Sequence, residues 1–112
     1  MDAMLDEKKN YSVKNVETII SDAHAQARIL TLGPRQEIPW HRHSEITDHY
    51  FVLRGKLTVQ TRVPDSQRQL HVGERHAIMP GTGHLLSNQG DADCQFLLLQ
   101  GGGNYDWIKL PE

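Results

Sequence analysis

Along much of this chain, apolar and polar residues alternate at every second position, the period of a half-buried β-strand. In Ala25 to Leu32, one face carries Ala27, Ile29 and Thr31 and the other Arg28, Leu30 and Leu32; Gly33-Pro34 closes the run. In Asp48 to Leu53, Asp48, Tyr50 and Val52 oppose His49, Phe51 and Leu53. Further strands are predicted at Val13 to Ile20, within Arg35 to His43, and at Lys56 to Val63, Gln69 to Val72, His76 to Met79, His84 to Ser87 and Cys94 to Gln100. Pro39 holds Ile38 extended and cannot donate to a ladder, which suits a strand start or an edge. The consecutive Leu97, Leu98 and Leu99 predict a last strand buried on both faces. Gly55, Pro64-Asp65-Ser66, Gly73-Glu74, Pro80-Gly81 and Asn88 to Asp91 supply the turns between these runs.

About eight short strands without a strong amphipathic helix predict an all-β fold, an antiparallel sandwich or barrel. A chain of 112 residues makes one domain, expected over residues 13–112. Residues 1–12 are expected to be a flexible N-terminal segment, with the charged stretch Met1 to Asn10 a frayed end or a short helix. Gly101-Gly102-Gly103 releases a tail, Asn104 to Glu112. Its Tyr105 and Trp107 are expected to dock on the domain or on a neighbour rather than line a site.

Composition removes several function classes. The formal charge is −2 and no basic patch stands out, which argues against nucleic acid as a partner. No apolar run approaches the roughly 18 residues of a membrane span, and no signal peptide is read. Cys94 is the single cysteine, so no disulfide forms within the chain. A reducing compartment, and hence a cytoplasmic protein, is the expectation, with Cys94 as a small core residue.

The chemistry concentrates around His41, His43, Glu45, Asp48 and His49. His41 and His43 are two apart, so on one strand both rings share a face. Asp48 follows a short turn, and His84 follows the separate Pro80-Gly81 turn. Were His84 to reach the same point, the site would offer three imidazoles and one carboxylate. That set suits a divalent transition metal such as Fe, Mn, Ni, Cu or Zn. Histidines in loops are often merely structural; the following carboxylate and the second hairpin raise the metal reading above that. Because His49 alternates with Asp48, it is expected to point away, toward a second sheet layer or a partner subunit. Arg28 is read as a solvated edge charge, with a pocket role toward an anionic ligand as the alternative.

Two stretches resemble the paired motifs of the cupin superfamily. The first motif is His-x-His, three or four residues, Glu, six residues, Gly; His41, His43 and Gly55 match it, with Asp48 in the Glu place. The second is Gly, five residues, Pro-x-Gly, two residues, His, three residues, Asn. Gly73, Gly81, His84 and Asn88 match it, with Met79 in the Pro place and the proline one later at Pro80. Gly33 stands two residues too far upstream to open the first motif.

The resemblance implies a jelly-roll barrel, with His41, His43, Asp48 and His84 as metal ligands. Asp48 is one methylene shorter than Glu, a reach shorter by about 1.5 Å. Direct ligation, ligation through a water and a three-histidine site are therefore all open, with Glu45 as a substitute carboxylate. Tyr50, on the Asp48 face, is the candidate acid or hydrogen-bond donor, and Asn88, Gln60 and Tyr50 are candidate supports for the ligands. Similar small cupins include dioxygenases and sugar or uronate isomerases acting on small polar metabolites. Others are non-catalytic metal- or ligand-binding modules. Homodimers are common among them, and the outward Phe51 and Leu53, with Trp107, are expected to need a cover.

Overall fold

The computed structural model describes Leu5–Asp6 and residues 11–112, with side chains from Tyr11 onward. Among these residues every regular element is a strand: β1 (Leu5–Asp6), β2 (Tyr11–Ser12), β3 (Asn15–Ser21), β4 (Ala25–Leu32), β5 (Glu37–Arg42), β6 (Thr47–Arg54), β7 (Lys56–Arg62), β8 (Ser66–His71), β9 (Arg75–Ile78), β10 (Gly83–Ser87), β11 (Cys94–Gly101) and β12 (Ile108–Lys109). Beyond the small β1-β2 pair, the strands form two antiparallel five-stranded sheets, ordered β12-β5-β10-β7-β8 and β3-β4-β11-β6-β9. The chain changes sheet at most of its turns, which is how a jelly roll is wound. No helix among the described residues is long and apolar enough to cross a membrane.

Alternation builds the core. Along β11, Cys94, Phe96, Leu98 and Gln100 are buried while Gln95, Leu97 and Leu99 are half-buried. They meet Leu30, Leu32, Tyr50 and Val52 of the same sheet and Ile38, Leu57, Val59, Leu70 and Leu86 of the other. The three consecutive leucines are thus not equally enclosed: Leu98 faces the core, while Leu97 and Leu99 face the outer side of the sheet, over which no element among the described residues packs. At the corner from β6 to β7, Gly55 has φ 77°. A Cβ there would stand 2.5 Å from the Asp93 carbonyl oxygen, so the corner requires glycine.

Several boundaries differ from the sequence expectation. β8 begins at Ser66, inside the expected loop, because only Leu70 of this strand is buried and the polar residues around it hide its period. β12 was not expected at all: two residues of the tail pair with β5, Ile108 opposite Arg42 and Lys109 opposite His41. Of the expected frayed end or helix at Met1 to Asn10, only Leu5–Asp6 falls among the described residues, where it pairs with Tyr11–Ser12.

Candidate metal centre

The cluster is assembled across the two sheets. His41 on β5 lies directly opposite His84 on β10 in the antiparallel register. His43 follows just past β5, where its carbonyl accepts a hydrogen bond from the Gly81 amide at 2.7 Å, tying the β9-β10 turn to it. Asp48 comes from β6 of the facing sheet, between Gln100 on β11 and Ile78 on β9. One ligand-type atom from each of His41, His43, Asp48 and His84 lies within 4.8 Å of all the others. All four are buried, at 3, 4, 2 and 0% exposure respectively. The shorter aspartate therefore reaches: its Oδ2 is 3.4 Å from His43 Nε2 and 3.3 Å from His84 Nε2.

Hydrogen bonding fixes which nitrogen faces inward. Each Nδ1 meets a backbone carbonyl: His41 that of Pro39 at 2.7 Å, His43 that of Asp106 at 2.5 Å and His84 that of Thr82 at 2.9 Å. A carbonyl only accepts, so each Nδ1 carries a proton and Nε2 is the nitrogen that each ring turns inward. The Nε2 atoms of His43 and His84 are buried without a hydrogen-bond partner. Three inward Nε2 atoms and a carboxylate converge, a donor set that fits a divalent cation.

Burial and mutual contact perturb the titratable groups of the cluster. Burial, then the neighbouring His84, lowers the His41 pKa to about 3, so this ring stays neutral. Burial alone would raise the Asp48 carboxyl; the imidazoles of His43 and His84 outweigh it and hold it well below the ordinary carboxylate range. Burial and the Asp48 charge push the Tyr50 phenol well above its usual value, so it remains a donor.

Supports for Asp48 come from its own sheet. Tyr50 OH donates to Oδ2 at 2.7 Å, and Gln100 Nε2 donates to Oδ1 at 2.9 Å. Gln100 Oε1 in turn accepts from Arg28 Nη2 at 2.7 Å. Arg28 is thus half-buried and turned toward the barrel interior, not a solvated edge charge. Gln100 was not anticipated, although its alternation with Cys94, Phe96 and Leu98 already placed it inward.

Other expected residues fall elsewhere. Asn88 donates to the carbonyls of Leu32 and Ala92 and shapes its own turn rather than supporting a histidine. Gln60 lines a shallow hollow with Trp40, Thr61 and Arg62. Glu45 is exposed, and its Oε1 accepts from the Asn104 amide at 3.1 Å, outside the cluster. His49 points outward into an apolar groove of about 380 Å³ beside Ile20, Ala27 and Leu99. Cys94 is buried, and burial pushes its thiol up to about 12, the behaviour of a core residue.

The tail overturns one expectation. Trp107 does not dock away from the site but stacks on His41, with ring centroids 4.7 Å apart at 16°, and also on Tyr11 at 5.8 Å. The Tyr105 ring lies 5.5 Å from that of His43. Pairing of β12 with β5 brings these aromatics back over the histidines, a long-range contact that local pattern does not encode.

Comparison with known proteins follows the same lines. The cupin domain family model matches residues 28–100. An oxalate oxidase superposes with a TM-score of 0.70 at 20% identity, over 79% of this chain and 47% of its own. A conserved protein with a double-stranded β-helix domain from Klebsiella pneumoniae subsp. pneumoniae gives 0.72 at 21% identity, over 85% and 77%. Oxalate decarboxylase from Lactobacillus farciminis, in a formate complex, gives 0.73 at 21% identity, over 86% and 31%. The chain thus spans about half the length, or less, of these two oxalate enzymes. No curated protein sequence matches it. The family match runs from Arg28 on β4 to Gln100 on β11 and takes in all four clustered side chains, and the chain belongs to the cupin domain family.

Proposed function

We propose that this protein is a metal-dependent cupin enzyme acting on a small polar metabolite, a carboxylate or a sugar derivative. His41, His43, Asp48 and His84 would hold one divalent transition metal, Fe, Mn, Ni, Cu or Zn. The observation that carries this reading is the buried convergence of acceptors, with two Nε2 atoms left unpartnered. Buried polar atoms without partners are costly, and a divalent cation would partner all of these at once.

When bound, the metal supplies a Lewis acid, and with iron or manganese a redox centre. The chain's own residues orient the site. Backbone carbonyls fix the three imidazole tautomers. Tyr50 on Oδ2 and Gln100 on Oδ1 fix the orientation of the Asp48 carboxylate, with Oδ2 3.4 and 3.3 Å from the Nε2 atoms of His43 and His84. In this reading Tyr50 is a positioning residue that keeps its proton. Four protein ligands leave room for substrate on a metal that takes six.

Elemental analysis of protein purified without a histidine tag should find about one metal per chain. Oxygen uptake compared with anaerobic turnover then separates dioxygenase from isomerase chemistry. Metal-free protein whose melting temperature ignores added Fe, Mn, Ni and Zn would overturn the metal reading. Bound metal without turnover across a broad metabolite panel would favour a binding module instead.

A homodimer is part of the same proposal. Phe51, Leu97 and Leu99 on the outer face of the β3-β4-β11-β6-β9 sheet are half-buried, while Leu53 and Ile20 are 43 and 63% exposed. A second copy laid on this face would cover them. Trp107 does not belong to that face. Sedimentation of a Leu53→Lys variant as monomer, against a dimeric parent, is the expected result.

A further inference from the structure

The barrel interior holds a cation that the metal reading does not use. Arg28 pairs with Leu98, and Leu98 with Tyr50, so the arginine belongs to the inward row of its sheet. Its β4 neighbours on that row, Leu30 and Leu32, are core residues. One guanidinium nitrogen, Nη2, is engaged by Gln100, while Nε is buried without a hydrogen-bond partner. Among the described residues no carboxylate forms an ion pair with it. Through Gln100 the guanidinium stands two hydrogen bonds from Asp48.

Charge bookkeeping narrows the ligand. An arginine is charged at any relevant pH, and the imidazoles must be neutral to bind metal. Asp48 alone balances Arg28. A divalent cation in the cluster therefore leaves two positive charges in surplus, one of them on a half-buried guanidinium whose Nε is enclosed. Interior charge persists only when paired, and a neutral sugar cannot supply the counter-charge.

We propose that the site takes a small carboxylate, one carboxylate group seated on the Arg28 guanidinium beside the cluster. The fork geometry of guanidinium and carboxylate favours this pairing over any single point contact. The charge surplus rests on the metal reading; the contact with Arg28 does not.

Titration calorimetry of zinc-loaded protein with sodium oxalate and with oxamide, its uncharged analogue, tests the assignment. Oxalate should bind the wild type, and Arg28→Met should weaken it tenfold or more while one metal per chain is retained. Arg28→Lys should recover part of the loss, and oxamide should not distinguish the variants. Equal oxalate affinity in wild type and Arg28→Met overturns the proposal, as does a wild type that binds neither oxalate nor acetate. Should Arg28→Met fail to fold, the oxalate-against-oxamide preference of the wild type and of Arg28→Lys decides, and no preference for the anion overturns it. Metal content is measured separately. Protein without metal that still binds oxalate through Arg28 removes the metal reading alone; metal with Arg28-independent binding removes this one alone.

Discussion

Replacing Gln100 with leucine removes an amide and keeps most of its volume. In the wild type that amide donates to Asp48 Oδ1 at 2.9 Å and accepts from Arg28 Nη2 at 2.7 Å, and its residue is buried. Gln100→Leu leaves a carboxylate oxygen and a guanidinium nitrogen without these partners. Each bond has one charged partner and is worth about 1.5–3 kcal/mol. The variant should therefore lose about 3 kcal/mol or more. For a chain of this length the unfolding entropy is about 0.24 kcal/mol/K, so the loss corresponds to a melting point lower by roughly 13 °C. A freed Asp48 also turns more easily away from the histidines, and metal affinity should fall about 10- to 100-fold, the usual effect of removing a partner behind a ligand. Thermal unfolding measures the first effect, and competition against a chromophoric chelator the second. Gln95→Leu on the same strand is the control: its side chain faces outward, is half-buried and donates one long hydrogen bond to Thr31 Oγ1, at 3.4 Å. A Gln100→Leu variant that melts within ~3 °C of wild type and keeps its metal affinity would refute the reasoning.

Other consequences can be checked independently. The folded pKa of His41 is about 3, below the ordinary value near 6.5, so the unfolded chain takes up this proton first and stability should fall as pH drops from about 6.5 toward 3. The depressed Asp48 acts in the same direction, but only below its unfolded pKa of about 3.9, so urea titrations of metal-free protein across pH 7 to 4 should show the His41 decline, at up to about 1.4 kcal/mol per pH unit for that proton. Because Trp107 stacks on His41, Cu²⁺ or Ni²⁺ should quench tryptophan emission, and Trp107→Phe should abolish most of that quenching while Trp40 remains. Gly55→Ala forces a Cβ to within 2.5 Å of the Asp93 carbonyl at a left-handed φ, which should cost about 2–3 kcal/mol in chemical denaturation; an unchanged midpoint would show that the corner relaxes freely.

Much of the fold was legible from period-two alternation. β4 was predicted with the bounds it has, and β6, β7, β10 and β11 to within a residue or two at either end, because each carries an apolar face that must be buried. The same alternation put Asp48 and Tyr50 on one face and turned His49 away. The first half of β8 and all of β12 escaped, because one buried leucine, or two paired residues, make no period.

The identities of the cluster were written in the chain, since His-x-His and the later Pro-Gly-x-Gly-His segment name their own residues. What folding alone decided was convergence and reach. Whether Asp48 was long enough depended on how far apart two sheets stand, a property of packed side chains rather than of spacing. Gln100, Arg28 and Trp107 joined the site for the same reason: strands distant in sequence were laid side by side, and which residues then face one another is set by register and sheet order. A linear pattern records which face a residue takes, while only the closed barrel determines what stands across from it.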